Sequence, residues 1–116
     1  MIQRIDAGSA AGSPMAALDG IRVLDLTRVL AGPMCTQLLA DHGADVLKIE
    51  SPAGDDTRRL GLPEVDGSAP YFHALNRNKR SAVLDLASSH GRERILDLVA
   101  DADVLVENFL PGTMQR

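Results

Sequence analysis

The segment Ile21 to Pro33, IRVLDLTRVLAGP, constrains the fold more than any other. An apolar run from Ile21 to Leu26 stops at Thr27-Arg28, a Gly-Pro pair follows, and helical spacing begins at Met34. A strand that ends in a short turn and feeds a helix is the repeating unit of parallel sheets. Its turn gathers free backbone N–H groups and the positive end of the helix dipole, a natural seat for a phosphate-bearing ligand. The apolar residues hardly alternate, so the strand is expected to be buried on both faces. Pro33 suits the first helical turn, where its missing N–H costs nothing.

Downstream the same unit recurs. Cys35, Leu38, Leu39 and His42 fall at i, i+3, i+4 and i+7, which predicts one apolar helix face with Cys35 as a small core residue. A reactive thiol is the alternative, because a nearby helix N-terminus lowers thiol pKa. Gly43 fits a left-handed C-terminal cap, and Ala44 to Ile49 reads as a second strand ended by Glu50. Ser51 to Pro70 loses all periodicity and reads as a functional or mobile loop. Tyr71 to Asn76 suits a short helix, and Ser81 to Leu86 a third strand. Ser88 or Ser89 can cap a helix with Ile95, Leu98, Val99 and Ala102 on one face, and Asp103 to Glu107 is the fourth strand.

Short apolar runs separated by helices imply an α/β fold with right-handed crossovers: the N-terminal part of a Rossmann-like parallel sheet with flanking helices. After the turn at Asn108 to Gly112, Thr113 to Arg116 is too short for a stable helix, so the sheet is expected to be incomplete and the chain a fragment. Residues 1–17, rich in Ala, Gly and Ser, read as a disordered tail before a partial domain spanning 18–116, with Met1 or Met15 as the start. Asp6, Gly8 and Gly12 break any apolar segment a signal peptide would need.

Composition narrows the function. A net charge of −4 offers no general attraction for nucleic acid or an anionic membrane, and no apolar stretch approaches the roughly 18–20 residues that span a bilayer. Arg77, Lys79 and Arg80 therefore read as a solvated strand edge; if functional, they suit an anionic cofactor better than a polymer. A single cysteine excludes an internal disulfide framework and a multi-cysteine metal site, and a reducing cytoplasm is the simplest setting. His42, His73 and His90 have no partner at i+4, so no metal is expected. Asp55, Asp56, Glu64 and Asp66 lie in the irregular stretch, where no spacing fixes an acid/base pair. One glycine in the first turn, where a dinucleotide fingerprint needs three, argues against NAD despite Glu50 at the second strand end.

Four blocks taken together resemble the family III CoA-transferases, a family that includes the 2-methylacyl-CoA racemases. They are LDGIRVLDLTRVLAGP, LLADHGADVLKIESPAGDDTR, YFHALNRNKRSAVLDL and ADVLVENFLPG, in order from Leu18 onward. The resemblance implies a coenzyme A site at the strand ends, an interlocked homodimer, and transfer of CoA from an acyl-CoA to a carboxylic acid. It carries coenzyme contacts onto Leu30 and Ala31, onto Leu84 and Asp85, onto Asn108, Phe109 and Leu110, and onto Arg116. The family's nucleophilic aspartate is expected beyond residue 116. None of Asp25, Asp41, Asp45 or Asp85 fills that role, and the fragment alone is expected to be inactive and weakly stable. Two departures bear on substrate. Leu30 stands where oxalate-type members carry Gln, and Ser51 where some carry a coenzyme-binding Arg, for which Arg58 or Arg59 would substitute. Asn108 and the YFHALNRNK block favour a transferase over a racemase; a non-catalytic nucleotide-binding module is the remaining alternative.

Overall fold

The computed structural model describes residues 3–4, 15–62 and 66–115. β2 (Arg22–Asp25) is followed by α1 (Ala31–Asp41), β3 (Asp45–Glu50), α2 (Pro70–Asn76), β4 (Arg80–Val83), α3 (Ser89–Asp101) and β5 (Val104–Val106). A two-residue strand, β1 (Gln3–Arg4), precedes them and pairs antiparallel with β4. It lies within the stretch read as a tail, most of which falls outside the described residues. The sheet order is β1-β4-β3-β2-β5, and the four strands from β4 to β5 are parallel.

β2 lies between β3 and β5, and every residue from Val23 to Leu26 is buried. Val23 joins Ala40, Ala44 and Val46 in one cluster beneath α1. Leu24 and Leu26 join Ile49 on the other face, where Ile95 and Leu98 of α3 and Ala102 just after it cover them. Each fully buried aliphatic side chain contributes about 1.5–3 kcal/mol relative to exposure. Helices therefore sandwich the sheet, and a continuous apolar strand is the sequence that such a position requires.

Two glycines set the helix-to-turn distances. A Cβ on Gly32 would lie 2.3 Å from Thr27 Cβ, and one on Gly91 would lie 1.8 Å from the Asp85 carbonyl oxygen. Gly43 adopts φ +98° after α1, as a left-handed cap requires. Ser88 is the N-cap of α3 and accepts from the Gly91 N–H at 2.9 Å.

The structure corrects three readings. The buried face of α1 is Pro33, Thr36, Gln37 and Ala40, whereas Cys35 and Leu38 are exposed. The helix is turned so that Thr36 Oγ1 donates to the buried Asp25 carboxylate at 2.6 Å, a polar demand that apolar periodicity does not report. The stretch after β3 is not without structure among its described residues: Asp56–Arg59 forms a 3-10 turn capped by Asp55, tied to Glu50 through Arg58. The basic run at the start of β4 is a solvated edge only in part: Lys79 is fully buried, whereas Arg77 is exposed beside Asp41 and Arg80 is half-buried beside Asp45.

Candidate functional site

The chain steps outward from β2 to β3 to β4, then returns across the sheet to place β5 on the far side of β2. Where strand order reverses in this way, the loops at the carboxyl ends diverge and leave a crevice. A cavity of about 570 Å³ lies there, within the range that holds small organic ligands (roughly 300–1,000 Å³). Leu26, Ile49 and Leu84 come from the strand ends, Ile95 and Leu96 from α3, and Phe109 and Met114 from the segment after β5. Arg28 and Arg92 add positive charge to this apolar lining. The Arg28 guanidinium stands 5.8 Å from the centre of the Phe109 ring, a cation–π contact, and Arg92 Nη1 donates to the Ala87 carbonyl at 2.8 Å.

Behind this wall the strand ends carry buried charges, each matched by partners. Asp25 accepts from the Thr27 N–H at 2.9 Å and pairs with Lys79 Nζ at 3.1 Å. Lys79 also donates to the Pro33 carbonyl and to Asn76 Oδ1. Lys48 Nζ donates to the Thr27 carbonyl at 2.8 Å and pairs with Asp55 at 3.0 Å. Arg58 grips Glu50 with two N–H groups, donates to Ser68 Oγ, and lies 3.8 Å from the Phe72 ring centre. Desolvation makes such pairs expensive unless every donor and acceptor is engaged.

Ionisation follows from those partners. Burial pushes the Lys79 ammonium down to about 8, against the opposing pull of Asp25. For Glu50, burial raises the carboxyl, but hydrogen bonds from Arg58, Ser81 and the Asp55 N–H outweigh it and hold the group below its ordinary value. Asp55 is likewise lowered, burial being outweighed by Thr57 and Lys48. The hydrogen bond to Glu50 raises Arg58, with burial opposing.

Among the positions singled out in the sequence, Leu84, Asp85 and Phe109 meet at the cavity. Leu30 and Ala31 open α1 and are not part of its lining; Leu30 is half exposed at the helix N-cap. Asn108 is hydrogen-bonded through its side chain to the Arg28 backbone, and Leu110 points to solvent. Arg116 and Glu64 lie outside the described residues. Arg58, one of the two arginines weighed for the cation missing at Ser51, is engaged by Glu50 and Ser68. Arg59 is bound to Asp56 and the Ala53 carbonyl. The cations on the cavity that sequence reasoning missed are the buried Lys48 and, more exposed, Arg28 and Arg92, the last two placed directly after a strand end and beside the close-packed Gly91. Asp25, Asp41 and Asp45 are held in ion pairs, and Asp85 accepts from the Ala87 N–H, which gives each a structural occupation.

Parallel strands sandwiched by helices, with a largely apolar crevice at the reversal of strand order, define an α/β fold with a candidate ligand site. The chain belongs to CoA-transferase family III, whose model matches residues 18–116. It is 55% identical to a succinyl-CoA:mesaconate CoA-transferase of Haloarcula hispanica, over 88% of this chain and 27% of that protein. A formyl-CoA:oxalate CoA-transferase of Rhodopseudomonas palustris is 53% identical over 86% of this chain and 24% of its own length. The crystal structure of a CAIB/BAIF family protein from Brucella suis superposes with a TM-score of 0.83 at 51% identity, covering 88% of this chain and 28% of that one. The chain thus spans about a quarter of the length of these relatives.

Proposed function

We propose that the protein carrying this chain moves CoA from an acyl-CoA to a carboxylic acid, and that this segment is a Rossmann-like wall of its coenzyme site. The observation that carries the reading is the cavity at the carboxyl ends of the strands, where Arg28 and Phe109 face one another. Coenzyme A needs an apolar channel for its pantetheine arm, an aromatic surface for adenine and cations for its phosphates. Leu84, Phe109 and Ile95 supply the first two, and Arg28 and Arg92 the third. Asp85, Leu30, Ala31, Asn108, Leu110 and Arg116 remain proposed contacts or neighbours by family resemblance.

In the reaction, an acyl-CoA and a free carboxylate exchange the CoA thiol, giving a new acyl-CoA and the carboxylate of the first acyl group. The family's aspartate attacks the thioester carbonyl and passes through an anhydride and an enzyme-bound thioester. The residues described here bind and orient the coenzyme for that attack. Leu30 has no hydrogen-bond donor for a second carboxylate, so the proposed acceptor is an acid other than oxalate. A cytoplasmic setting suits the exposed thiol of Cys35, and an interlocked homodimer suits the exposed apolar side chains of Met34 and Leu38 on α1.

Calorimetric titration of the full-length protein with CoA is expected to show binding that Phe109→Ala weakens about tenfold, the scale of one aromatic contact. Given an acyl-CoA and a panel of acids, it is expected to form a new thioester only when an acid is present, with oxalate a poor acceptor. Exchange of an α-proton in deuterated water without any acid would point to a racemase. Binding without either reaction would point to a non-catalytic module.

A further inference from the structure

Asn108 stands where the family resemblance places a coenzyme contact, yet the protein itself takes up both ends of its amide. Its Oδ1 accepts from the Arg28 N–H at 3.0 Å, and its Nδ2 donates to the Arg28 carbonyl at 2.8 Å. The backbone ladder between β2 and β5 reaches Leu26, whose N–H donates to the Val106 carbonyl at 2.9 Å. The Asn108 side chain therefore carries that ladder beyond the last backbone pairing, at the point where strand order reverses.

The next residue explains why an extra tie is needed. Val29 has φ +71°, a left-handed conformation that a β-branched side chain strongly disfavours. Such strain persists only where the surroundings over-determine the backbone. On the preceding side, the Thr27 N–H is held by Asp25 and its carbonyl by Lys48. On the following side, the Leu30 carbonyl accepts from the Met34 N–H as α1 begins. Between them, Arg28 has both backbone groups fastened by Asn108.

We propose that Asn108 is a positioning residue that holds Val29 left-handed. In doing so it fixes Arg28 opposite Phe109 and preforms the cationic side of the coenzyme crevice. Phe109 is the residue next to Asn108, so one clamp sets the spacing of both partners in the cation–π contact. The chemistry demands an amide: aspartate would accept from the Arg28 N–H but turn its second oxygen against the Arg28 carbonyl. The consequence for affinity rests on the coenzyme reading above; the clamp does not.

Two measurements on the full-length protein separate these. In calorimetric titration with CoA, Asn108→Ala is expected to weaken binding about tenfold, the scale of two lost hydrogen bonds. Adding Val29→Gly to that variant is expected to recover at least about threefold, because glycine enters positive φ without steric cost. A direct coenzyme contact predicts the same loss in both backgrounds; that result, or wild-type affinity in Asn108→Ala, overturns the proposal. In thermal unfolding, Asn108→Ala is expected to lower Tm less beside Val29, where release of the strained backbone offsets part of the lost bonding, than beside glycine at that position, and equal decrements would overturn the clamp. Should the unmodified protein fail to bind CoA, the coenzyme reading falls by itself, and the unfolding comparison still decides the clamp.

Discussion

Lys79 shows most clearly how one side chain ties the site's foundation together. Its ammonium is buried between Asp25, Asn76 and the Pro33 carbonyl, joining β2, α2 and α1 at once. Lys79→Met removes the charge but leaves Asp25 buried with only hydroxyl and N–H partners. Urea unfolding of the full-length protein is expected to show a loss of about 3–5 kcal/mol, the range for an orphaned buried charge. The pH dependence has a definite sign. Because burial lowers Lys79 from 10.5 to about 8, the unfolded chain binds this proton more tightly. The lysine's contribution to stability is therefore complete above 10.5 and falls away as pH drops through about 8. Nitrogen NMR of the labelled lysine is expected to place its titration near 8, and an ordinary lysine value there would contradict the burial.

At the scale of elements, α3 is docked by its first turn. The Cβ missing from Gly91 would meet the Asp85 carbonyl, a backbone atom with no rotamer to yield. Gly91→Ala is expected to push the helix start off the turn after β4 and to cost about 1–3 kcal/mol, as overpacking does. The same shift moves Ile95 and Leu96 off the cavity, so CoA affinity is expected to fall in parallel with stability. Calorimetry and denaturant unfolding on the same variant check both. The α1 helix makes a different point: of the expected face of Cys35, Leu38, Leu39 and His42 only Leu39 packs on the core, while Thr36 and Gln37 are buried. Periodicity located the helix but, Leu39 apart, assigned its inner face wrongly. A buried aspartate on the neighbouring strand needed a hydroxyl more than the core needed another leucine.

Across the whole molecule, acid sensitivity is expected to centre on the loop after β3. Glu50 and Asp55 both have folded values held below their ordinary 4.5 and 3.8. For lowered acids the stabilisation is present above those values and disappears as pH falls through the depressed folded ones. Unfolding free energy of the full-length protein is expected to decline below about pH 4.5, and Glu50→Gln to flatten part of that limb. A limb unchanged by Glu50→Gln would locate the acid sensitivity elsewhere. The loop order that depends on these groups also frames one side of the cavity, since Glu50, Gly54 and Asp55 contribute to its wall. Protonation is therefore expected to loosen the site before the sheet.

The sequence alone determined the main helices and parallel strands, though not β1 or the 3-10 turn after β3, because apolar runs without alternation, a Gly-Pro start and a Ser cap are local signals that survive in any tertiary setting. It also determined the family, through four blocks in order from Leu18. Tertiary structure decided what sits between the elements. Lys48, Lys79 and Glu50 read as ordinary polar residues in or beside strands, and only the fold brings Asp55, Asp25 and Arg58 to them. The same holds at the crevice: Leu84, Asp85 and Phe109 were nameable from their turns, but Arg28 joined them only when β5 came to lie beside β2. Pairing of buried charges and the meeting of distant loops are long-range properties. They depend on strand order, which no local pattern along this chain encodes.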